Sequence, residues 1–155
     1  MNRPFVNEAL FNQYKKEQNL KVKAAILTTL GELKAIEFIS QLKEIASGSD
    51  NQMAIRALVS LSTMNGESMT LDERRKSSAR LCELASSAMV EERRLVCIGL
   101  RNLRIRDDNQ VFETLMRLLQ DENASVRLEA GETLTTSNLI ATCTTNRLSH
   151  YSINS

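Results

Sequence analysis

Four stretches of this chain repeat one spacing at a period of about 35 residues, and that recurrence limits the fold more than any other feature. Val22 and Leu30, Met53 and Leu61, Glu92 and Leu100, and Val126 and Leu134 are each separated by eight positions. Their first members follow one another at 31, 39 and 34 residues (22 to 53, 53 to 92, 92 to 126). Around these positions apolar residues recur at i, i+3, i+4 and i+7, as in Val22, Ile26, Leu30 and Leu33 or in Val111, Leu115, Leu118 and Leu119. That is the period of a helix with one buried stripe, and strict alternation is missing. One amphipathic helix pair cannot bury its apolar face alone, whereas stacked pairs share a continuous core.

The expected fold is therefore all-α: an α-α superhelix, or solenoid, of about four helical hairpins. The helix pairs are predicted at 5–18 with 20–33, 35–47 with 51–64, 71–87 with 89–104, and 108–120 with 124–135. Gly48 and Gly66 stand where helices would end in left-handed backbone. Thr70 and Glu73 have capping-box spacing, and Ser49 with Gln52 and Asp107 with Gln110 offer similar starts. Asn7 is a candidate cap for the first helix, with Pro4 the alternative in its first turn. Small residues in the second helices, among them Ala24, Ala25, Ala54, Ala57, Gly99, Ala130 and Gly131, permit close helix approach.

Composition fits a packed domain. Apolar residues are 42% of 155, enough for a core, and with aromatics at only 4% the packing falls to aliphatic side chains. The repeat domain is expected over residues 1–135. From Thr135 to Ser155, 12 of 21 residues are Ser, Thr or Asn, which compete with the backbone for hydrogen bonds. Residues 136–155 are accordingly expected to be a flexible tail. If such a tail leaves the last hairpin uncovered, the apolar surface there invites a partner or self-association.

Several function classes lack their residues. The only histidine is His150, and Cys82, Cys97 and Cys143 form no CxxC pair, so finger-type metal sites and Cys–His or Ser–His–Asp chemistry are not expected. No phosphate-binding glycine loop is present. Asp72-Glu73, Glu91-Glu92 and Asp107-Asp108 stand at helix starts, where they complement the helix dipole. Cys82 and Cys97 read as small core residues, and Met53, Met64, Met69, Met89 and Met116 as core filling. A net charge of +1 argues against a sequence-independent nucleic-acid binder. No run reaches the roughly 18 apolar residues of a membrane span. The N-terminus lacks a signal-peptide core, so the expected compartment is the cytoplasm.

The segment Asp121-Glu-Asn-Ala-Ser-Val126-Arg127-Leu-Glu-Ala130 resembles the D-x(4)-V-R-x-x-A signature of the HEAT repeat family. The likeness extends over about residues 5–135, and armadillo-like arrays share its hairpin logic. In that family the aspartate sits in the turn between paired helices, the arginine sits on the second helix, and the two form a ladder. The resemblance implies such a role for Asp121 and Arg127. The other repeats depart from it: Lys23 with Glu17 in the first, Ala54 with Gly48 in the second, and Arg93 with Ser87 in the third.

The remaining polar feature is arginine. Arg94, Arg101 and Arg104 share a face of one helix. In a HEAT-like array the second helices line the concave side, so Arg56, Arg94, Arg101, Arg104 and Arg127 are candidate partner-binding residues for an acidic peptide or surface. The competing reading is a solvated face with local pairs such as Glu91–Arg94. The expected function is a non-catalytic protein-interaction scaffold without cofactor. The alternatives are a bilin lyase-like HEAT protein, marked by an absorbance change on mixing with a tetrapyrrole, and a nucleic-acid-binding HEAT-like protein, marked by steep salt dependence.

Overall fold

The computed structural model describes residues 4–64 and 69–137. Among them are eight α-helices, one short 3-10 turn and no strand. The helices are α1 (Pro4–Lys16), α2 (Leu20–Glu32), α3 (Ile39–Ala46), α4 (Asn51–Thr63), α5 (Leu71–Leu84), α6 (Val90–Leu103), α7 (Asn109–Leu118) and α8 (Ala124–Thr136), with the 3-10 turn Ile36–Phe38 leading into α3. The chain divides into two compact units, residues 1–77 and 78–155.

The starts are chemically explicit. Asn19 caps α2 by accepting from the Lys21 and Val22 amides, and Asn123 caps α8 by accepting from Ser125. Asp50 accepts from Met53 N, and Asp108 from Val111 N. The caps of α4 and α7 are thus Asp50 and Asp108 rather than the neighbouring Ser49 and Asp107. Thr70 and Glu73 do form a capping box, with bonds of 2.8 and 3.2 Å in the two directions. Pro4 occupies the first turn of α1. Asn7 is not a cap: it lies buried inside α1 and donates to Glu37 at 2.8 Å.

Left-handed backbone is found at Lys34, Arg104 and Asp107, with φ of 50°, 51° and 58°. Gly48 is not in that region. α3 ends there with the Ser47 amide bonded back to Lys43 and Glu44, so no reversal of φ is needed. Gly66 and the predicted tail beyond Ser137 lie outside the described residues.

In the first unit α2 packs on α1 and α4, and α3 packs on α4. Ile26, Leu30 and Ala35 form a cluster against Leu10, Phe11, Tyr14 and Phe38. The Phe11 and Phe38 rings stack at 4.8 Å. Gly31 lets α2 and α4 approach closely: a methyl group there would lie 2.8 Å from Ser60 Cα. In the second unit α8 packs on α6 and α7. Leu30, Leu61, Leu100 and Leu134, the repeated leucines, are all buried. Val22, Leu33 and Leu119, assigned to the apolar stripes, are instead substantially exposed. Met53, Met64 and Met69 fill the core, while Met89 and Met116 are exposed.

Candidate interaction face on helix α8

The second helices share one register when counted from the residue preceding each, namely Asn19, Asp50, Met89 and Asn123. Ten positions on stand Thr29, Ser60, Gly99 and Thr133. In the first unit the Ser60 hydroxyl donates across to Leu27 O at 2.6 Å. In the second the Thr133 hydroxyl donates to Cys97 O at 3.0 Å. Leu27 and Cys97 each lie eight positions after their own cap. One interhelix bond thus recurs in both units, with the same offset between the same kinds of helix.

Four positions after the cap stand Lys23, Ala54, Arg93 and Arg127. Arg93 Nη1 donates to Ser87 O and Ala88 O at 2.9 and 3.1 Å, clasping the turn before its own helix. Its other edge, Nε and Nη2, holds the Asp121 carboxylate at 2.7 and 3.0 Å. Both side chains are only 9% exposed, so water offers little competition for the pair. The hydrogen bond from Arg93 holds the Asp121 carboxyl below the usual carboxylate range, and Asp121 in turn raises the Arg93 guanidinium.

Arg127 repeats half of this arrangement. Its Nη1 donates to Asp121 O and Glu122 O at 2.7 and 2.9 Å, with the same sequence offsets as Arg93. The Asp121 carboxylate therefore belongs to Arg93, and Arg127 takes only its backbone carbonyl. The family likeness pairs Asp121 with Arg127. The partner it left out, Arg93, stands 28 residues before Asp121 and four after Met89, where its register with Arg127 is legible. Among the described residues no carboxylate hydrogen-bonds the outer edge of Arg127.

The other candidate arginines are not a free basic stripe. Arg94 donates to Glu91 at 2.9 Å and to Glu129 at 3.3 Å. Arg101 donates to Glu129 at 2.7 Å and to Glu132 at 3.1 Å. The hydrogen bond to Glu129 raises the Arg94 guanidinium. Three carboxylates thus answer two arginines, because α8 lays Glu129 and Glu132 against α6. The Glu91–Arg94 pair of the solvated-face reading is present. Arg104 is exposed at the end of α6, and Arg56 is half-buried on α4 in the first unit. With Arg94 and Arg101 committed to glutamates, little positive charge remains there to attract phosphates.

Beside Arg127 is an open pocket of about 500 Å³, lined by Arg101, Arg127, Leu128, Gly131, Glu132 and Thr135. Leu128 is 64% exposed at its edge. A methyl group on Gly131 would meet only Leu119 Cδ1, at 3.6 Å, so the backbone there is open to close approach. This face joins a guanidinium edge, an exposed leucine and bare backbone, a combination suited to an acidic side chain carried on an apolar surface.

Cys82 and Cys97 are buried and unpaired by disulfide. Burial pushes the Cys97 thiol up to about 12 and raises Cys82 as well. Among the described residues no cluster of His, Cys, Asp and Glu is arranged to hold a metal ion, and no helix is long and apolar enough to cross a membrane. His150 and Cys143 lie outside them. No protein-family model, curated protein or solved structure matches the chain.

Proposed function

We propose that the four hairpins stack as a HEAT-like solenoid and that the chain is a non-catalytic interaction scaffold, binding a protein partner through the outer face of α8. The observation that carries this reading is the half-used fork of Arg127. Arg93, in the same register, spends one edge on turn carbonyls and the other on a carboxylate from the next hairpin. Arg127 keeps the first set of bonds, and its second edge opens beside Leu128 and the pocket. An acidic side chain on the partner meets there the chemistry that Asp121 meets at Arg93. Binding would draw on that charge-assisted pair at the centre and on burial of Leu128 around it.

The test is affinity capture with wild type beside Arg127→Glu and Leu128→Asp. Both variants lose the partner in this reading, and each keeps its helical circular dichroism. A partner retained at full strength by both variants rules out the α8 face. Of the other candidate arginines, Arg104 and Arg56 serve as controls, since neither lines this pocket.

A further inference from the structure

We propose that the occupant of the α8 face is a second copy of this chain, docked head to tail through the exposed side of its α2. The inference rests on the reading of the α8 face as a docking surface and names what sits on it.

The contact between α6 and α8 defines the positions that meet when one second helix packs on the previous one. The residue five after the cap, Arg94, meets the residue six after the next cap, Glu129. The residue eight after, Cys97, receives the hydroxyl of the residue ten after, Thr133. The fork four after, Arg93, receives the acid two before the next cap, Asp121. Extending this register from α8 onto α2 pairs Leu128 with Ala25, Gly131 O with the Thr29 hydroxyl, and Arg127 with Glu17.

Arg127 and Glu17 are matched in charge and Leu128 and Ala25 in polarity, whereas Gly131 O already accepts the Thr135 hydroxyl at 2.8 Å, so the Thr29 position adds contact rather than a new bond. Glu17 and Thr29 are already set as their internal counterparts are. Glu17 Oε1 accepts from the Gln18 and Asn19 amides at 3.0 and 2.9 Å, as Asp121 Oδ1 accepts from Asn123 N at 2.9 Å. The second Glu17 oxygen accepts only from the Gln13 side chain, at 3.1 Å on the surface. Thr29 donates to Ala25 O at 2.9 Å, as Thr133 donates to Glu129 O at 2.8 Å while also reaching Cys97 O. The polar seam changes character on both sides at once. Where α6 carries Arg94 and Arg101, α8 carries Leu128 and Thr135; where α8 carries Glu129, α2 carries Ala25. A lone loss of the arginines would leave a glutamate stranded, and a lone loss of the glutamate would leave arginines stranded. Val22, 41% exposed on α2, adds apolar area to the same side. Such an interface is heterologous, so it propagates into an open chain or closes into a ring.

The experiment uses the full chain with Cys143→Ser, so that introduced thiols are the reactive ones. Leu128→Cys in one copy and Ala25→Cys in another, differently tagged, are mixed and mildly oxidised. A disulfide between the two copies, formed in the mixture and in neither variant alone, is the expected result. Both sites are exposed, so folding is not at stake. In sedimentation, wild type gains mass with concentration. Arg127→Glu and Glu17→Lys each weaken this by about tenfold or more, and their mixture restores it because each new charge meets its opposite. Leu128→Cys pairing with itself indicates a two-fold interface and overturns the proposal. So does a monomer at every concentration; continued Arg127-dependent capture of a different protein would then leave the docking face standing. Association that begins only after removal of residues 138–155 also overturns it, in favour of the chain's own end as the occupant.

Discussion

Replacing Asp121 by alanine should destabilise the second unit by about 2–4 kcal/mol, and the structure says where that cost arises. The carboxylate accepts two charge-assisted bonds from Arg93 and one from the Asn123 amide. A hydrogen bond to a charged group contributes about 1.5–3 kcal/mol. Removing one member of a fully buried ion pair costs about 3–5 kcal/mol, and an exposed pair is worth under about 1 kcal/mol. At 9% exposure the Arg93–Asp121 pair sits near the buried limit, but Arg93 keeps its bonds to Ser87 O and Ala88 O, which moderates the loss. Asp121→Asn should cost less, since its side-chain oxygen can still accept from Asn123. The assay is urea unfolding followed by circular dichroism, with a double-mutant cycle adding Arg93→Met. The pair should show a coupling above about 1 kcal/mol. The dependence on pH has a definite sign. The folded Asp121 carboxyl lies below its unfolded value of about 3.9, so its contribution is complete above that value and disappears as pH falls through the folded one. Wild type and Asp121→Ala should differ most near neutrality and converge as pH falls through the lowered folded value. A cost below about 0.5 kcal/mol at neutral pH, or a coupling near zero, would refute the reasoning.

Gly31→Ala should lose about 1–2 kcal/mol, because overpacking against the Ser60 backbone outweighs the roughly 1 kcal/mol of helix preference that alanine brings; urea unfolding checks it. Gly131→Ala is its counterpart: the new methyl meets only Leu119 Cδ1, so a gain of about 0.5–1 kcal/mol is expected in the monomer. Iodoacetamide at pH 8 should leave Cys82 and Cys97 unmodified in the native chain and label both in urea, as mass spectrometry of peptides would show. Arg104→Gly should hold or raise stability by up to about 1 kcal/mol, since φ of 51° costs arginine more than glycine; a clear loss would show that the side chain does structural work.

What the sequence made legible was whatever depends on local spacing. Helical period located the eight helices of the described residues to within a few residues, and the repeated leucines identified Leu30, Leu61, Leu100 and Leu134 as buried. Caps were misplaced by one residue at Asp50 and Asp108, because adjacent polar side chains compete for the same amides and only the backbone path decides between them. Asn7 was misassigned for a different reason: its partner Glu37 is 30 residues away, out of reach of any local pattern. The arginines show the same limit at the site. Charge on one helix says nothing of the glutamates its neighbour brings, so Arg94 and Arg101 looked like a basic stripe until Glu129 was placed beside them. The segment likened to D-x(4)-V-R-x-x-A puts Asp121 before α8 and Arg127 on it, but the carboxylate pairs with the arginine of the preceding second helix.

The α8 face rests on second helices packed in the same register within each unit, and through-space proton contacts measure that register directly. Nuclear Overhauser effects should connect Gly31 Hα with the Ser60 side chain and the Thr133 methyl with Cys97, at the close approaches described in the two units. Strong cross-peaks for both pairs are the predicted result. Absence of both, with the same protons contacting residues three or four positions away along the partner helices, would contradict the shared register and with it the face assigned to Arg127.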